Sequence, residues 1–252
     1  MEIKLNATQQ AAVLATNGST LIIAGAGSGK TRVITCRISH LLKSGTSPRS
    51  IVALTFTNKA AKEMKERIGK QTHMMPFVGT FHSYCLTLLK KYGYHIGLDS
   101  FTIMDSADQE KLIHDIVKQN STGKINSKQM VYHISNAKNA LATGDQYYLF
   151  EYDTNMQEIL VKYEGAKKFS KCLDFDDLII KTVELFNKSE FVAQHQANIQ
   201  HILVDEYQDT SVLQHKLLKQ MSLLADKLNI SSVCVVGDED QSIYSWRGAT
   251  VD

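Results

Sequence analysis

The segment Ala24-Gly25-Ala26-Gly27-Ser28-Gly29-Lys30-Thr31 constrains this chain more than any other. It follows the apolar run Leu21-Ile22-Ile23-Ala24 and opens a pattern carrying Val33, Ile34, Ile38, Leu41 and Leu42 at helical spacing. Small residues between a strand and a helix let successive backbone N–H groups curl around phosphate oxygens, and the helix N-terminus adds donors and a favourable dipole. The pattern G-x-x-x-x-G-K-[ST] is met except at its first position, where Ala24 replaces glycine. This places Ala26, Gly27, Ser28 and Gly29 around nucleotide phosphates, with Lys30 reaching the β- and γ-phosphates and Thr31 ligating Mg²⁺. ATP and Mg²⁺ are the expected cofactors. A glycine-rich turn with a chance lysine is the competing reading; the flanking strand and helix and the Gly-Lys-Thr ending argue against it.

Other short, β-branched apolar runs recur beside turn-forming residues: Ile51-Val52-Ala53-Leu54-Thr55-Phe56, Ile202-Leu203-Val204-Asp205 and Val233-Cys234-Val235-Val236, with Phe77-Val78-Gly79-Thr80 a weaker candidate. Such runs lack alternation, as parallel strands buried on both faces do. Helical patterns over residues 30–43 and 58–68 lie between them. Strands alternating with helices predict an α/β fold around a mostly parallel sheet. From about 85 to 198 the periodicity is helical and no strand stands out. Asp105 and Ser127 are candidate N-caps there, followed by Leu112, Ile113, Ile116 and Val117 and by Met130, Val131, Ile134 and Ala137. The expected division is an α/β domain over 1–85 and 199–252, interrupted by an all-helical insertion over 86–198.

The run ending at residue 204 leads into Asp205-Glu206. An apolar strand ending in two acids suits Mg²⁺ held by Asp205 and a water oriented and deprotonated by Glu206. An exposed acidic turn is the bland alternative. Lys30 and Asp205 are 205 − 30 = 175 residues apart, and the helical insertion accounts for that excess. The four cysteines are scattered without a CxxC pair and read as reduced packing residues. Net charge is only +2, which neither demands nor excludes nucleic acid. No run approaches the roughly 20 apolar residues of a membrane span, and Met1 to Asn6 show no apolar signal stretch. A cytoplasmic location without a membrane partner is expected.

Six segments, in order, resemble superfamily 1 DNA helicases of the UvrD/Rep/PcrA type. They are Leu5-Asn6-Ala7-Thr8-Gln9; Ala24 to Thr31; Thr55-Phe56-Thr57-Asn58-Lys59-Ala60-Ala61-Lys62-Glu63-Met64; Gly79-Thr80-Phe81-His82-Ser83; Val204-Asp205-Glu206-Tyr207-Gln208-Asp209-Thr210; and Val236-Gly237-Asp238-Glu239-Asp240-Gln241-Ser242-Ile243-Tyr244-Ser245-Trp246-Arg247-Gly248-Ala249. Asp174-Phe175-Asp176-Asp177-Leu178 also resembles the family. The resemblance implies a RecA-like domain with a helical insertion, subdomains 1A and 1B in family terms. It further implies DNA-stimulated ATP hydrolysis driving 3′-to-5′ translocation and unwinding at junctions of single- and double-stranded DNA. A module that binds ATP and single-stranded DNA without productive catalysis is the alternative.

The resemblance assigns roles residue by residue. Gln9 matches the adenine-reading glutamine, with Gln10 as the fallback. Arg37 matches a residue near the nucleotide base, against the plain alternative of a surface helix arginine. Gln241 matches the glutamine that senses the γ-phosphate and couples it to DNA. Thr55, Phe56, Asn58, Thr80, His82, Tyr244, Trp246 and Arg247 match DNA-contacting positions, where aromatic stacking and backbone contacts hold single strands; for Arg247 the resemblance also allows a nucleotide-side role. Packing roles for His82 and Trp246 are the competing readings. The family's second RecA-like domain, which completes the ATP site with arginines, lies outside these 252 residues. The 252-residue chain alone is therefore expected to bind nucleotide weakly, hydrolyse it slowly and not unwind DNA.

Overall fold

The structure, a computed structural model, describes residues 4–120, 126–144, 154–195, 199–223 and 230–238. The chain forms two compact units, Met1–Tyr84 with Lys188–Asp252, and Cys85–Asn187. The described strands are β1 (Gly18–Ile23), β2 (Ile51–Thr55), β3 (Phe77–Thr80), β4 (Thr102–Ile103), β5 (Cys172–Leu173), β6 (His201–Val204) and β7 (Ser232–Gly237).

The first unit is built on a five-stranded sheet of order β1-β7-β6-β2-β3 in which every pairing is parallel. This is the α/β architecture expected. Strands β2 and β6 are buried at every residue, which is why their sequences are apolar without alternation. On one face Ile51, Ala53, Leu203, Cys234 and Val236 pack against Ile34, Ile38, Leu41 and Leu42 of α2 (Lys30–Lys43) and Met64 and Ile68 of α3 (Asn58–Gly69). Helix α3 turns Lys59, Lys62, Lys65 and Arg67 to solvent. Among the described residues strand β1 is an edge, paired only with β7. Its Ile22 packs on the core while Leu21 and Ile23 remain 62% and 60% exposed.

Helix α1 (Ala7–Leu14) begins with a reciprocal capping box. The Gln9 N–H donates to Asn6 Oδ1 at 2.8 Å and the Asn6 N–H to Gln9 Oε1 at 3.1 Å. Val13 of α1 packs on Val33 and Cys36 of α2. Arg37 is fully buried, and its Nη1 donates to the Ala12 carbonyl at 2.7 Å. The surface-arginine alternative is thereby excluded: Arg37 fastens α1 to α2.

The second unit holds the C-terminal part of α4 (Phe81–Tyr92), then α5 (Ser106–Asn120), α6 (Ser127–Thr143), α7 (Thr154–Ser170) and α8 (Phe175–Phe186). Asp105 caps α5, its Oδ1 accepting the Ala107 and Asp108 N–H groups at 2.9 Å. The cap of α6 is Asn126 rather than Ser127, because the Asn126 carboxamide oxygen accepts the Lys128 N–H and leaves Ser127 as the first helical residue. The all-helical expectation needs one amendment. β4 and β5 pair in parallel over two residues each. Runs this short carry no periodicity from which a strand can be read.

Burial in this unit includes charge. Lys138 of α6, Lys167 of α7, the α8 N-cap Asp174 and Asp177 of its first turn are all nearly inaccessible. Lys138 Nζ donates to Asp174 Oδ2 at 2.6 Å and to Asp177 Oδ1 at 2.7 Å. Lys167 Nζ lies 2.9 Å from Asp174 and 2.8 Å from Glu164. The Tyr163 hydroxyl donates to Asp174 at 2.7 Å. Asp174 and Asp177 also form the capping box of α8. Burial alone raises the Asp174 pKa, but the two lysine charges and their hydrogen bonds outweigh it and hold the carboxyl well below the usual carboxylate range. Glu164, Asp174 and Asp177 converge as a metal-binding triad would. Here both ammonium groups touch all three carboxylates, so protein cations occupy the centre of the cluster.

Candidate nucleotide-binding site

Because all five strands of the main sheet run parallel, their carboxyl ends share one edge. Open α/β sheets place ligands in the crevice at this edge. From one side to the other it presents Ala24 after β1, Asp238 after β7, Asp205 and Glu206 after β6, Thr55 at the end of β2 and Thr80 at the end of β3. The predicted residues thus separate along the edge. The residues predicted to hold phosphate and Mg²⁺ follow β1 and β6, and those predicted to contact DNA lie at the ends of β2 and β3 and in the segments that follow them.

The loop after β1 is exposed from Gly25 to Ser28. Gly27 and Gly29 adopt φ values of 72° and 91°, a region that L side chains avoid. Gly29 is the N-cap of α2 and supplies no side-chain cap, so the first turn of α2 has no side chain satisfying its donors. That arrangement suits an anion. Lys30, only 8% exposed, donates from Nζ to the Ala24 carbonyl and to Asp238 Oδ2, both at 3.0 Å. The Gln9 carboxamide reaches back to this loop, donating from Nε2 to the Ser28 carbonyl at 2.9 Å. Gln10 is exposed, so Gln9 is the residue brought to the loop.

The acidic pair completes the group. Asp205 is 2% exposed, with the Thr31 hydroxyl near its carboxylate. Burial, followed by the Glu206 charge, raises the Asp205 pKa to about 6 although that hydroxyl favours the charged form. A buried carboxylate beside a hydroxyl, destabilised by a neighbouring acid, is an all-oxygen donor set that fits a divalent cation. Glu206 adopts φ 54°, ψ 49°, the left-handed region. For a non-glycine residue this conformation costs about 1–2 kcal/mol, and such strain collects where a site demands a particular direction. Gln208 Nε2 donates to Glu206 Oε2 at 2.7 Å, and Gln208 Oε1 accepts the Asp238 N–H at 3.0 Å.

Arg37 does not point at the loop residues through any recorded bond. Its Nη1 serves Ala12, its Nε and Nη2 have no hydrogen-bond partner among the described residues, and burial lowers its pKa. Its link to the loop runs through α1, which carries Gln9.

Among the DNA residues, Thr55 and Thr80 are cross-strand partners on β2 and β3, and both are buried. Thr80 Oγ1 accepts the Ser83 N–H at 3.2 Å at the start of α4. Asn58 is exposed at the first turn of α3, Phe56 is half-buried between β2 and α3, and His82 is half-buried in the first turn of α4. Gln241, Tyr244, Trp246 and Arg247 lie outside the described residues.

Two further members of the site, Gln208 and Asp238, carry no role in the reading of the sequence. Both fall inside the strings Asp205-Glu206-Tyr207-Gln208-Asp209 and Gly237-Asp238-Glu239-Asp240-Gln241. Its place two residues after the predicted catalytic acid Glu206 is the one signal that could have found Gln208.

Comparison with known proteins identifies the family. Residues 5–252 match the UvrD/REP helicase N-terminal domain. The chain is 42% identical over 98% of its length to the ATP-dependent DNA helicase PcrA of Staphylococcus epidermidis strain RP62A, and 43% identical over the same share to PcrA of Staphylococcus aureus strain Mu50. It spans 35% of the length of each of these relatives. Phosphate loop, acidic strand end and matched span together place the chain in the UvrD/REP helicase family, as that family's N-terminal domain.

Proposed function

We propose that this chain is the nucleotide-binding and DNA-contacting part of an ATP-dependent DNA helicase. The observation that carries the reading is the convergence of Lys30, Thr31, Asp205 and Glu206 on one sheet edge, beside the strand ends that bear Thr55 and Thr80. The loop Ala26 to Gly29 and the open first turn of α2 bind the phosphates. Lys30 exchanges Asp238 for a phosphate oxygen. Gln9 holds the base side of the pocket from α1, and Arg37 keeps α1 in place. Thr31 and Asp205 would hold Mg²⁺, which when bound neutralises developing phosphate charge. Glu206 orients the attacking water and takes its proton.

Asn58, Phe56 and His82 contact a single DNA strand, with the buried Thr55 and Thr80 shaping the strand ends that present them. Gln241, Tyr244, Trp246 and Arg247 extend this surface and the γ-phosphate response. Hydrolysis drives 3′-to-5′ movement toward a junction with duplex DNA, together with a second RecA-like domain that supplies arginines. The unit Cys85–Asn187 corresponds to the helical insertion 1B, and the protein acts in the cytoplasm. The PcrA relatives, named as ATP-dependent DNA helicases, support this reading.

A Glu206→Gln variant of the intact protein tests it. Nucleotide binding persists while turnover falls by about 100-fold or more, the range for loss of a general base. Unchanged turnover would remove Glu206 from the mechanism.

A further inference from the structure

We propose that Gln208 is a positioning residue for hydrolysis, clamping the Glu206 carboxylate to the end of β7. The proposal rests on the ATP-hydrolase reading above. Glu206 stands in the left-handed region at a turn, where its backbone direction is unusual and its side chain has three rotatable bonds. A general base with such freedom spends little time aimed at one water. Gln208 removes that freedom. Its Nε2 donates to Glu206 Oε2 at 2.7 Å, while its own Oε1 accepts the Asp238 N–H at 3.0 Å.

The two bonds define the amide's orientation. Flipping it would set a carbonyl against a carboxylate and an NH₂ against an N–H, two repulsive contacts. Gln208 is only 7% exposed, so water does not substitute easily for either partner. The fit around it is tight as well. A Cβ on Gly237 would lie 3.0 Å from Gln208 Oε1 and 3.5 Å from the Gln208 nitrogen. The glycine before Asp238 therefore leaves the space the clamp occupies.

The clamp also joins the two halves of the site. Asp238 gives its N–H to Gln208 and its carboxylate to Lys30. When Lys30 leaves Asp238 for a phosphate, the shift at Asp238 reaches Glu206 through one amide. Gln208 touches neither phosphate nor water in this account; it acts through Glu206.

The test is steady-state ATP turnover of the intact protein with Gln208→Met, which keeps length and burial but removes both hydrogen bonds. The expected result is a fall in kcat of about tenfold to 100-fold, the scale of a misplaced catalytic group, with KM for ATP changed less than about threefold because the phosphate loop is untouched. In a Glu206→Gln background the same substitution causes no further loss. Gly237→Ala, which crowds Oε1 without altering Gln208, lowers kcat in the same direction and keeps the proposal testable if the methionine variant folds poorly. A normal kcat in both variants, or a loss that multiplies with that of Glu206→Gln, overturns the proposal. Lys30→Ala is the control for the underlying reading: if it retains turnover, the hydrolase assignment itself fails, whereas loss in Lys30→Ala with normal turnover in Gln208→Met defeats only the clamp.

Discussion

Lys30 and Asp238 form a buried ion pair, Nζ to Oδ2 3.0 Å, across 208 residues of sequence. The lysine that the phosphate loop offers to nucleotide is thus already neutralised within the protein. A buried lysine without a counter-charge is costly, and Asp238 meets that need; in the proposed function a phosphate replaces it.

Asp238→Asn should therefore lower the stability of the nucleotide-free protein by about 3–5 kcal/mol, the range for breaking a buried pair. Bound nucleotide should restore much of the loss, because phosphate supplies the missing negative charge. Thermal unfolding with and without ATP checks this. The ATP-induced rise in Tm should be larger in the variant than in the wild type.

Asp205 carries a stability cost of its own. Its folded pKa of about 6 lies above the ordinary value, and an unfolded aspartate titrates near about 3.9. Its contribution to stability is present below the unfolded value and is lost as pH rises through about 6. Asp205→Asn should therefore stabilise the nucleotide-free protein by about 1–3 kcal/mol at pH 7.5, with no gain at pH 4, while abolishing turnover. Urea titrations at the two pH values measure the difference.

The cluster in the second unit has the opposite sign. The folded Asp174 pKa is depressed, so its stabilisation is present above about pH 4 and is lost as pH falls through the folded value. Asp174→Asn should be markedly destabilised at pH 7 and converge on the wild type in acid. Lys138→Met leaves buried carboxylates short of a cation and should cost about 3–5 kcal/mol at pH 7. Denaturant unfolding from pH 7 down to well below the usual carboxylate range, where the folded Asp174 titrates, would follow both. The desolvation cost of so many charges in one core suggests that the gain is registry of α6, α7 and α8.

The sheet was legible because strands buried on both faces have little choice of composition. β2 and β6 appear in the sequence as unbroken apolar runs, and β7 as nearly one. The loop after β1 was legible because glycines at positive φ followed by Lys30-Thr31 have few other uses. Helix α1 was not recognised: its exposed turns are polar, and only Val13 is buried. Lys138 and Lys167 were hidden for a different reason, since a lysine in a helix ordinarily marks the solvent face. Arg37 misleads in the same way. Gln208 and Asp238 acquire their roles only when β6 and β7 become neighbours, a pairing across about 30 residues that no local pattern announces.

The most direct test of the account is the ATP turnover of the intact protein at saturating ATP, with and without single-stranded DNA, in the wild type and in Lys30→Ala. The account predicts that DNA raises wild-type turnover by about tenfold or more, equivalent to roughly 1.4 kcal/mol of barrier, and that Lys30→Ala is inactive under both conditions. Wild-type turnover indifferent to DNA, or activity surviving in Lys30→Ala, would contradict it.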